Sequence, residues 1–202
     1  MKFRPVNMST HEMLSEFTPS LGYAEFEFIV YIPGNSYGMP PIGVRRIPVS
    51  DVPGLDFWAL KDGEVERHCQ DYEEDDFVTA NTKRIACVGL SSRVHMSGTY
   101  RQLPQIDFKP CVSSESEENV KSILSRQRLP GYLLMSGKSY HFQGTTPMDY
   151  SRWLSYMRSI EQHEIVDADW VWECLDDRRS ILRLIDAERK PFEPRVISKV
   201  DL

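Results

Sequence analysis

The sequence predicts an α+β fold in which a mixed or antiparallel sheet is flanked by helices. Residues 131–144 alternate on either side of a Ser-Gly-Lys-Ser turn, which is the pattern of a strand-turn-strand unit. Residues 113–127 and 146–163, on either side of this unit, carry apolar side chains at helical spacing. We expect the helices over residues 115–127 and 147–162 to pack on the face of the sheet.

The composition indicates a globular protein. The chain has 202 residues, of which 41% are hydrophobic, and no linker divides it, so we predict a single domain over residues 1–202. Its apolar runs fall short of the roughly 20 residues that a membrane span needs, and residues 1–9 lack the apolar core of a secretion signal. We expect a cytoplasmic protein without a membrane partner. The net charge of -6 argues against coating nucleic acid by bulk electrostatics.

Two further features of the sequence bear on metal binding. The four cysteines, Cys69, Cys87, Cys111 and Cys174, form no C-x-x-C pair, so we expect reduced thiols and no zinc knuckle. The acidic residues at 71–76 predict a solvated loop or a helix start, with metal binding as the alternative.

The N-terminal half is predicted to combine one helix with several strands. Ser9 or Thr10 caps a short helix over residues 10–17. Lys61-Asp62-Gly63 is a turn signal that predicts a hairpin over residues 58–69. Apolar alternation predicts further strands over residues 24–32, 43–48, 84–90 and 102–109.

The C-terminal part is predicted to close the sheet. A short helix ends near Leu175, and strands follow over residues 180–185 and 195–200. In the predicted strand over residues 102–109, Asp107 stands between two bulky apolar residues. A carboxylate in such a place is paired, caps a helix or coordinates a ligand.

The turn at residues 136–139 has the groups that bind phosphate. It offers backbone N–H groups, the hydroxyls of Ser136 and Ser139, and the cation of Lys138, while His141 emerges beside it with a further donor. A solvated hairpin with a structural histidine would account for the same residues. The turn alone therefore leaves both interpretations open.

A phosphate-loop ATPase is excluded, although Gly137-Lys138-Ser139 is present. The glycine required five positions before Gly137 is missing, because position 132 is Tyr and Gly131 comes one residue too early. Such a loop also opens a helix, whereas residues 140–142 alternate as a strand does.

The order of these residues resembles the archaeo-eukaryotic primase superfamily, the catalytic fold of primase-polymerases. Asp107 looks like the first carboxylate of that family, and Asp167 looks like the last one. Residues 136–141 resemble the nucleotide turn, with Ser139 where Gly is usual, and residues 177–184 with Lys190-Pro191 resemble the end of the family's domain. The resemblance spans roughly residues 84–200, and residues 1–80 are a divergent N-terminal part.

The resemblance implies a role for each of these side chains. Asp107, His141 and Asp167 would be catalytic, and Asp107 and Asp167 would hold Mg²⁺ or Mn²⁺. A nucleoside triphosphate would be bound by Ser136, Lys138, Ser139, His141, Arg183 and Lys190. The implied partners are single-stranded or primed DNA and a helicase or other replication protein.

Lys109 departs from the family pattern, which has two alternating carboxylates on the first strand. A unit charge about 4 Å from a divalent ion costs roughly 8 kcal/mol at an effective dielectric of about 20. Three alternatives follow: Lys109 swings outward and Asp107 and Asp167 hold one ion, Lys109 replaces the metal as a phosphate-binding cation, or the register is wrong.

Three functions therefore remain open. The first is a metal-dependent nucleotidyltransferase of the primase or polymerase type, acting in DNA replication. The second is a catalytically inactive module that binds nucleotide or nucleic acid. The third is an α/β interaction protein unrelated to the family.

Overall fold

The computed structural model describes residues 1–33, 41–109, 113–186, 188 and 191–202. Within these ranges, helices and antiparallel strands form an α+β fold, which confirms the predicted class. The strands are β1 (Lys2–Ser9), β2 (Glu25–Tyr31), β3 (Gly43–Pro48), β4 (Cys87–Met96), β5 (Thr99–Gln102), β6 (Gln105–Asp107), β7 (Gly131–Met135), β8 (Tyr140–Gly144), β9 (Ile181–Arg183) and β10 (Arg195–Asp201). The helices are α1 (Thr10–Phe17), α2 (Phe57–Asp71), α3 (Asp76–Ile85), α4 (Ser114–Gln127), α5 (Tyr150–Ile160) and α6 (Ala168–Asp177).

The strands form two sheets where the sequence pattern suggested one. The first sheet has the order β1-β10-β7-β8-β6, and the second has the order β3-β2-β4-β5. β9 also pairs with β4, over Gly89–Ser91, next to the stretch that β4 shares with β5. The predicted strand-turn-strand unit is β7 and β8, the third and fourth strands of the first sheet.

The first sheet has an apolar core on each face. Leu133 of β7 contributes to a helix-side core that includes Val120, Leu124, Trp153 and Met157 of α4 and α5. The neighbouring residues Tyr132 and Leu134 contribute to an inter-sheet core with Phe26, Phe28 and Leu90 of the second sheet. Successive strand residues point to opposite faces, so a single strand serves both cores. Helices α4 and α5 pack as the sequence predicted.

A bulge in β10 changes which core its residues face. Val196 pairs with Leu134, but the register shifts before Ser198, which pairs with Leu133. Val196 therefore belongs to the inter-sheet core, whereas Val200 belongs to the helix-side core. Without the bulge, positions four apart on a strand would share a face.

The predicted hairpin over residues 58–69 is wrong, because this segment lies in helix α2. Asp56 caps the helix by accepting hydrogen bonds from the amides of Trp58 and Ala59. Phe57 and Val65 on its inner side are buried in the inter-sheet core. A glycine inside a helix costs only about 1 kcal/mol, so this burial outweighs the turn signal at Gly63.

Other boundaries also differ from the sequence prediction. Helix α3 occupies residues assigned in part to a strand, because Asp75 caps it at the amide of Val78 and the chain becomes extended only after Ala86. The predicted strand over residues 102–109 is divided into β5 and β6 next to Pro104, which has no N–H for a ladder. Strand β1 was not predicted. Among the described ranges, no helix combines the length and apolar character needed to cross a membrane.

The helix-side core predicts a large effect for one substitution. Trp153 is fully buried at its centre, so Trp153→Ala should lower the free energy of unfolding by about 3–5 kcal/mol in urea denaturation. The control is Trp172→Ala, since Trp172 is 63% exposed and its loss should change stability by only about 0.5 kcal/mol. Equal effects of the two substitutions would contradict the described packing.

Candidate functional site

The register between β6 and β8 places Asp107 directly opposite His141. Facing residues of an antiparallel pair lie on the same side of the sheet, and here Nε2 of His141 is 3.1 Å from Oδ1 of Asp107. The imidazole is 8% exposed, whereas the carboxylate is 29% exposed. The pair thus has a buried member and a member that solvent or a ligand can reach.

The turn between β7 and β8 brings two hydroxyls to the same imidazole. The amide of Ser136 donates to the carbonyl of Ser139 over 2.9 Å and closes the turn. The Oγ of Ser136 is 3.0 Å from Nε2 of His141 and 3.0 Å from the Oγ of Ser139. Gly137 provides the left-handed residue, with a φ of 89°, and Ser139 has no positive φ. Serine at position 139 therefore causes no backbone strain.

The three side chains do not form a Ser-His-Asp relay. In such a relay the acid and the hydroxyl contact different nitrogens of the imidazole. Here Asp107 and Ser136 both approach Nε2, and Nδ1 is buried without a hydrogen-bond partner among the described residues. The arrangement orients an imidazole at the turn and does not activate Ser136 as a nucleophile.

The backbone of Asp167 is hydrogen-bonded to the backbone of Asp107. Its amide donates to the carbonyl of Asp107 over 3.1 Å, beside an isolated bridge between Phe108 and Val166. The carboxylate of Asp167 caps α6 by accepting from the amides of Asp169 and Trp170. The structure thus brings Asp107, His141 and Asp167 together at the end of β6, while their catalytic roles stay a prediction.

The predicted cations occupy different kinds of position. Lys138 is exposed at the tip of the turn. Arg183 is 6% exposed and donates to the carbonyls of Ile185, Phe192 and Ser136, so the described bonds of its guanidinium hold the backbone around the turn. Lys190 lies outside the described residues.

Lys109 does not interact with the carboxylates in the described ranges. Its side chain is exposed, and its amide donates to the carbonyl of Ile165 over 2.9 Å. The ion pair of Asp107 there is with His141, and no ion pair of that part involves Lys109. An exposed Lys109 without such an ion pair agrees with two of the three alternatives, the outward-pointing lysine and the phosphate-binding cation.

Glu173 of α6 is an acidic neighbour that the sequence analysis missed. Burial raises its pKa to about 7, and the negative charges of Asp167, Asp177, Asp169 and Asp107 add to this effect. A possible signal was the spacing of Asp169, Glu173 and Asp177, which are four residues apart and share a helix face. The site therefore has an excess of negative charge that a bound cation would relieve.

Tyr31, at the end of β2 in the second sheet, lies within electrostatic range of Asp107 and Arg183. Burial raises the pKa of Tyr31 well above its usual value, with further contributions from Cys87 and Asp107 and an opposing one from Arg183. The hydroxyl therefore stays protonated. Nothing in the alternation of residues 24–32 indicated this position, because it results from the packing of two sheets.

Comparison with protein families identifies the family of this chain. The profile described as Archaeo-eukaryotic primase 1D-like matches residues 69–193. The chain belongs to this archaeo-eukaryotic primase-like family. Comparisons with curated proteins and with solved structures gave no match.

Membership in the primase-like family makes the third interpretation, an unrelated interaction protein, wrong. The match includes Asp107, the turn at residues 136–139, His141, Asp167 and Arg183. It begins at residue 69, earlier than the resemblance over roughly residues 84–200 had indicated, and so takes in α3.

The donors present suit a metal ion that arrives with a nucleotide. The described residues contain no cluster of three or more His, Cys, Asp or Glu side chains arranged to hold a metal. Mg²⁺, however, is commonly bound by one or two carboxylates together with the phosphates of a substrate. The adjoining Asp107 and Asp167, near the protonatable Glu173, fit such an ion.

The raised pKa of Glu173 predicts a pH dependence of stability. Because the folded state holds the proton up to about pH 7 and the unfolded state loses it near the ordinary glutamate pKa of 4.5, stability should fall as the pH rises between these values. Glu173→Gln should therefore raise the melting temperature at pH 8 and leave it nearly unchanged at pH 4.

Thermal unfolding in EDTA measures this effect without bound metal. Glu161→Gln is the control, because it makes the same change of charge at the residue that directly follows α5. An equal gain for both variants at pH 8 would point to the net charge of the protein and contradict the local explanation.

Proposed function

We propose that this primase-like domain binds a nucleoside triphosphate at the turn formed by residues 136–139 and at His141. The observation that carries the proposal is the shared contact of Ser136 and Asp107 with Nε2 of His141, at 3.0 and 3.1 Å. This contact fixes an imidazole beside a turn that also has an exposed lysine.

The residues of the turn would act on the phosphates as donors. Lys138 provides a mobile positive charge, and the hydroxyls of Ser136 and Ser139 can rotate towards a phosphate oxygen. Nδ1 of His141 is buried and has no partner in the described part of the chain, so the imidazole would reach a phosphate oxygen through Nε2, the nitrogen that faces Asp107 and Ser136. Arg183 holds the carbonyl of Ser136 and thereby keeps the turn in shape.

Asp107 and Asp167 would hold one Mg²⁺ or Mn²⁺ that enters with the triphosphate. A bound ion of this kind neutralises phosphate charge and polarises the phosphorus centre. The exposed Lys109 forms no ion pair with these two carboxylates in the described ranges, where the ion pair of Asp107 is with His141. We therefore expect the affinity for nucleotide to depend on the metal.

Calorimetric titration tests nucleotide binding. ATP, GTP and deoxynucleoside triphosphates should bind more tightly with Mn²⁺ than with EDTA. Lys138→Ala and His141→Ala should each weaken binding about tenfold or more, because a charge-assisted hydrogen bond contributes about 1.5–3 kcal/mol.

The matched controls are Lys2→Ala and His163→Ala, which remove the same side chains from β1 and from the segment after α5. Both should bind as the wild type does. Lys138 is exposed, so its variant remains informative if the His141 variant fails to fold. A wild-type protein that binds no nucleotide under any of these conditions would refute the proposal.

Nucleotidyl transfer to a DNA primer is the second candidate function. The observation that favours it is the backbone hydrogen bond of 3.1 Å from the amide of Asp167 to the carbonyl of Asp107. This bond places the two residues that carry the carboxylates next to each other. In this interpretation primed DNA is the acceptor, and a helicase or other replication protein delivers it. Lys109 stands where the family has its second carboxylate, so restoring a carboxylate at this position distinguishes nucleotidyl transfer from nucleotide binding alone.

Primer extension with Mn²⁺ distinguishes the two functions. Lys109→Asp should increase extension above the wild-type level, because it restores the alternating carboxylates of the family. Lys2→Asp makes the same change of charge on β1 and should have no effect. If nucleotide binds but neither the wild type nor Lys109→Asp extends a primer, transfer is refuted and the binding module stands.

A further inference from the structure

Phe192 lies against the turn at residues 136–139. A Cβ added to Gly137 would be 2.8 Å from Cδ2 of Phe192 and 3.1 Å from its Cβ, so the phenyl ring occupies the space of a side chain at position 137. Phe192 is nevertheless 58% exposed. One side of this residue is therefore packed on the glycine, and much of the ring faces solvent.

The position of Phe192 is tied to the turn by a buried guanidinium. Nη1 of Arg183 donates to the carbonyl of Phe192 over 2.7 Å, and Nη2 donates to the carbonyl of Ser136 over 3.4 Å. Arg183 itself is 6% exposed. The planar guanidinium of Arg183 thus fixes the position of Phe192 relative to Ser136, whose hydroxyl contacts His141.

We propose that Phe192 is the nucleobase subsite of the nucleotide site, with the base stacked on the open part of its ring. This inference rests on the proposed function, in which the triphosphate lies at residues 136–139 and at His141. Aromatic side chains stack on any base because every base has a π-face. The subsite should therefore accept purines and pyrimidines alike and give affinity without strict selection.

Inorganic tripolyphosphate separates the base from the phosphates. Phe192→Ala should weaken the binding of ATP, GTP and CTP about fivefold or more, as expected for the loss of one stacked base. The affinity of the same variant for tripolyphosphate should be unchanged. Lys138→Ala should instead weaken the binding of both kinds of ligand.

Three further variants separate stacking from support of the turn. Phe192→Leu keeps an apolar contact with Gly137 but has no π-face, so it should bind ATP as weakly as Phe192→Ala. Phe192→Trp should retain the affinity of the wild type. Phe77→Ala is the control, because Phe77 is 76% exposed on α3 and should contribute nothing.

The possible results distinguish this inference from the proposed function. If the wild type binds neither ATP nor tripolyphosphate, the nucleotide site itself is refuted. If the wild type binds both and Phe192→Ala binds both equally well, only the base subsite is refuted. An equal loss for ATP and tripolyphosphate would make Phe192 a support of the turn and also overturn the subsite.

Discussion

The contact between Asp107 and His141 across β6 and β8 is the constraint on which the candidate site depends. Its geometry comes from strand register, since these two residues are directly paired. A shift of one residue between β6 and β8 would place Asp107 on the opposite face of the sheet from His141. The pairing of β7 with β8 keeps His141 beside the turn that carries Ser136, so the arrangement of the site is specified by the ladder of the first sheet.

The register also explains how distant parts of the chain reach one place. Asp167 follows a segment that bridges to Phe108, immediately after β6, and Tyr31 arrives from the second sheet. Arg183 belongs to β9, which pairs with β4 of that sheet. The candidate site therefore lies where both sheets contribute, and the inter-sheet core holds the two contributions in a fixed relation.

Local signals in the sequence predicted the parts of the fold that short-range physics determines. Ser9 and Glu12 form a capping box at the start of α1, and the alternation around residues 136–139 identified β7 and β8. The order of Asp107, the turn, His141 and Asp167 sufficed to indicate the family, because each of these motifs is short and can be read directly from the sequence. Their spacing could not reveal that Asp107 and Ser136 meet the same nitrogen of His141.

The remaining features depend on contacts between residues far apart in sequence. Gly63 suggested a turn. The chain is helical there because α2 buries Phe57 and Val65 in the inter-sheet core. Arg183 was predicted to bind phosphate, but its three carbonyl acceptors are visible only in the folded chain. Glu173 has no motif of its own, and its raised pKa arises from burial, from the carboxylates of α6 and its N-cap, and from Asp107.

The bulge in β10 makes the length of this strand as important as its composition. Val196 serves the inter-sheet core and Val200 the helix-side core only because one extra residue lies between their ladder positions. Deleting that residue would leave one of the two valines facing the wrong layer even if every amino acid type were kept. Relatives of this protein should consequently tolerate substitutions in β10 more readily than single-residue insertions or deletions.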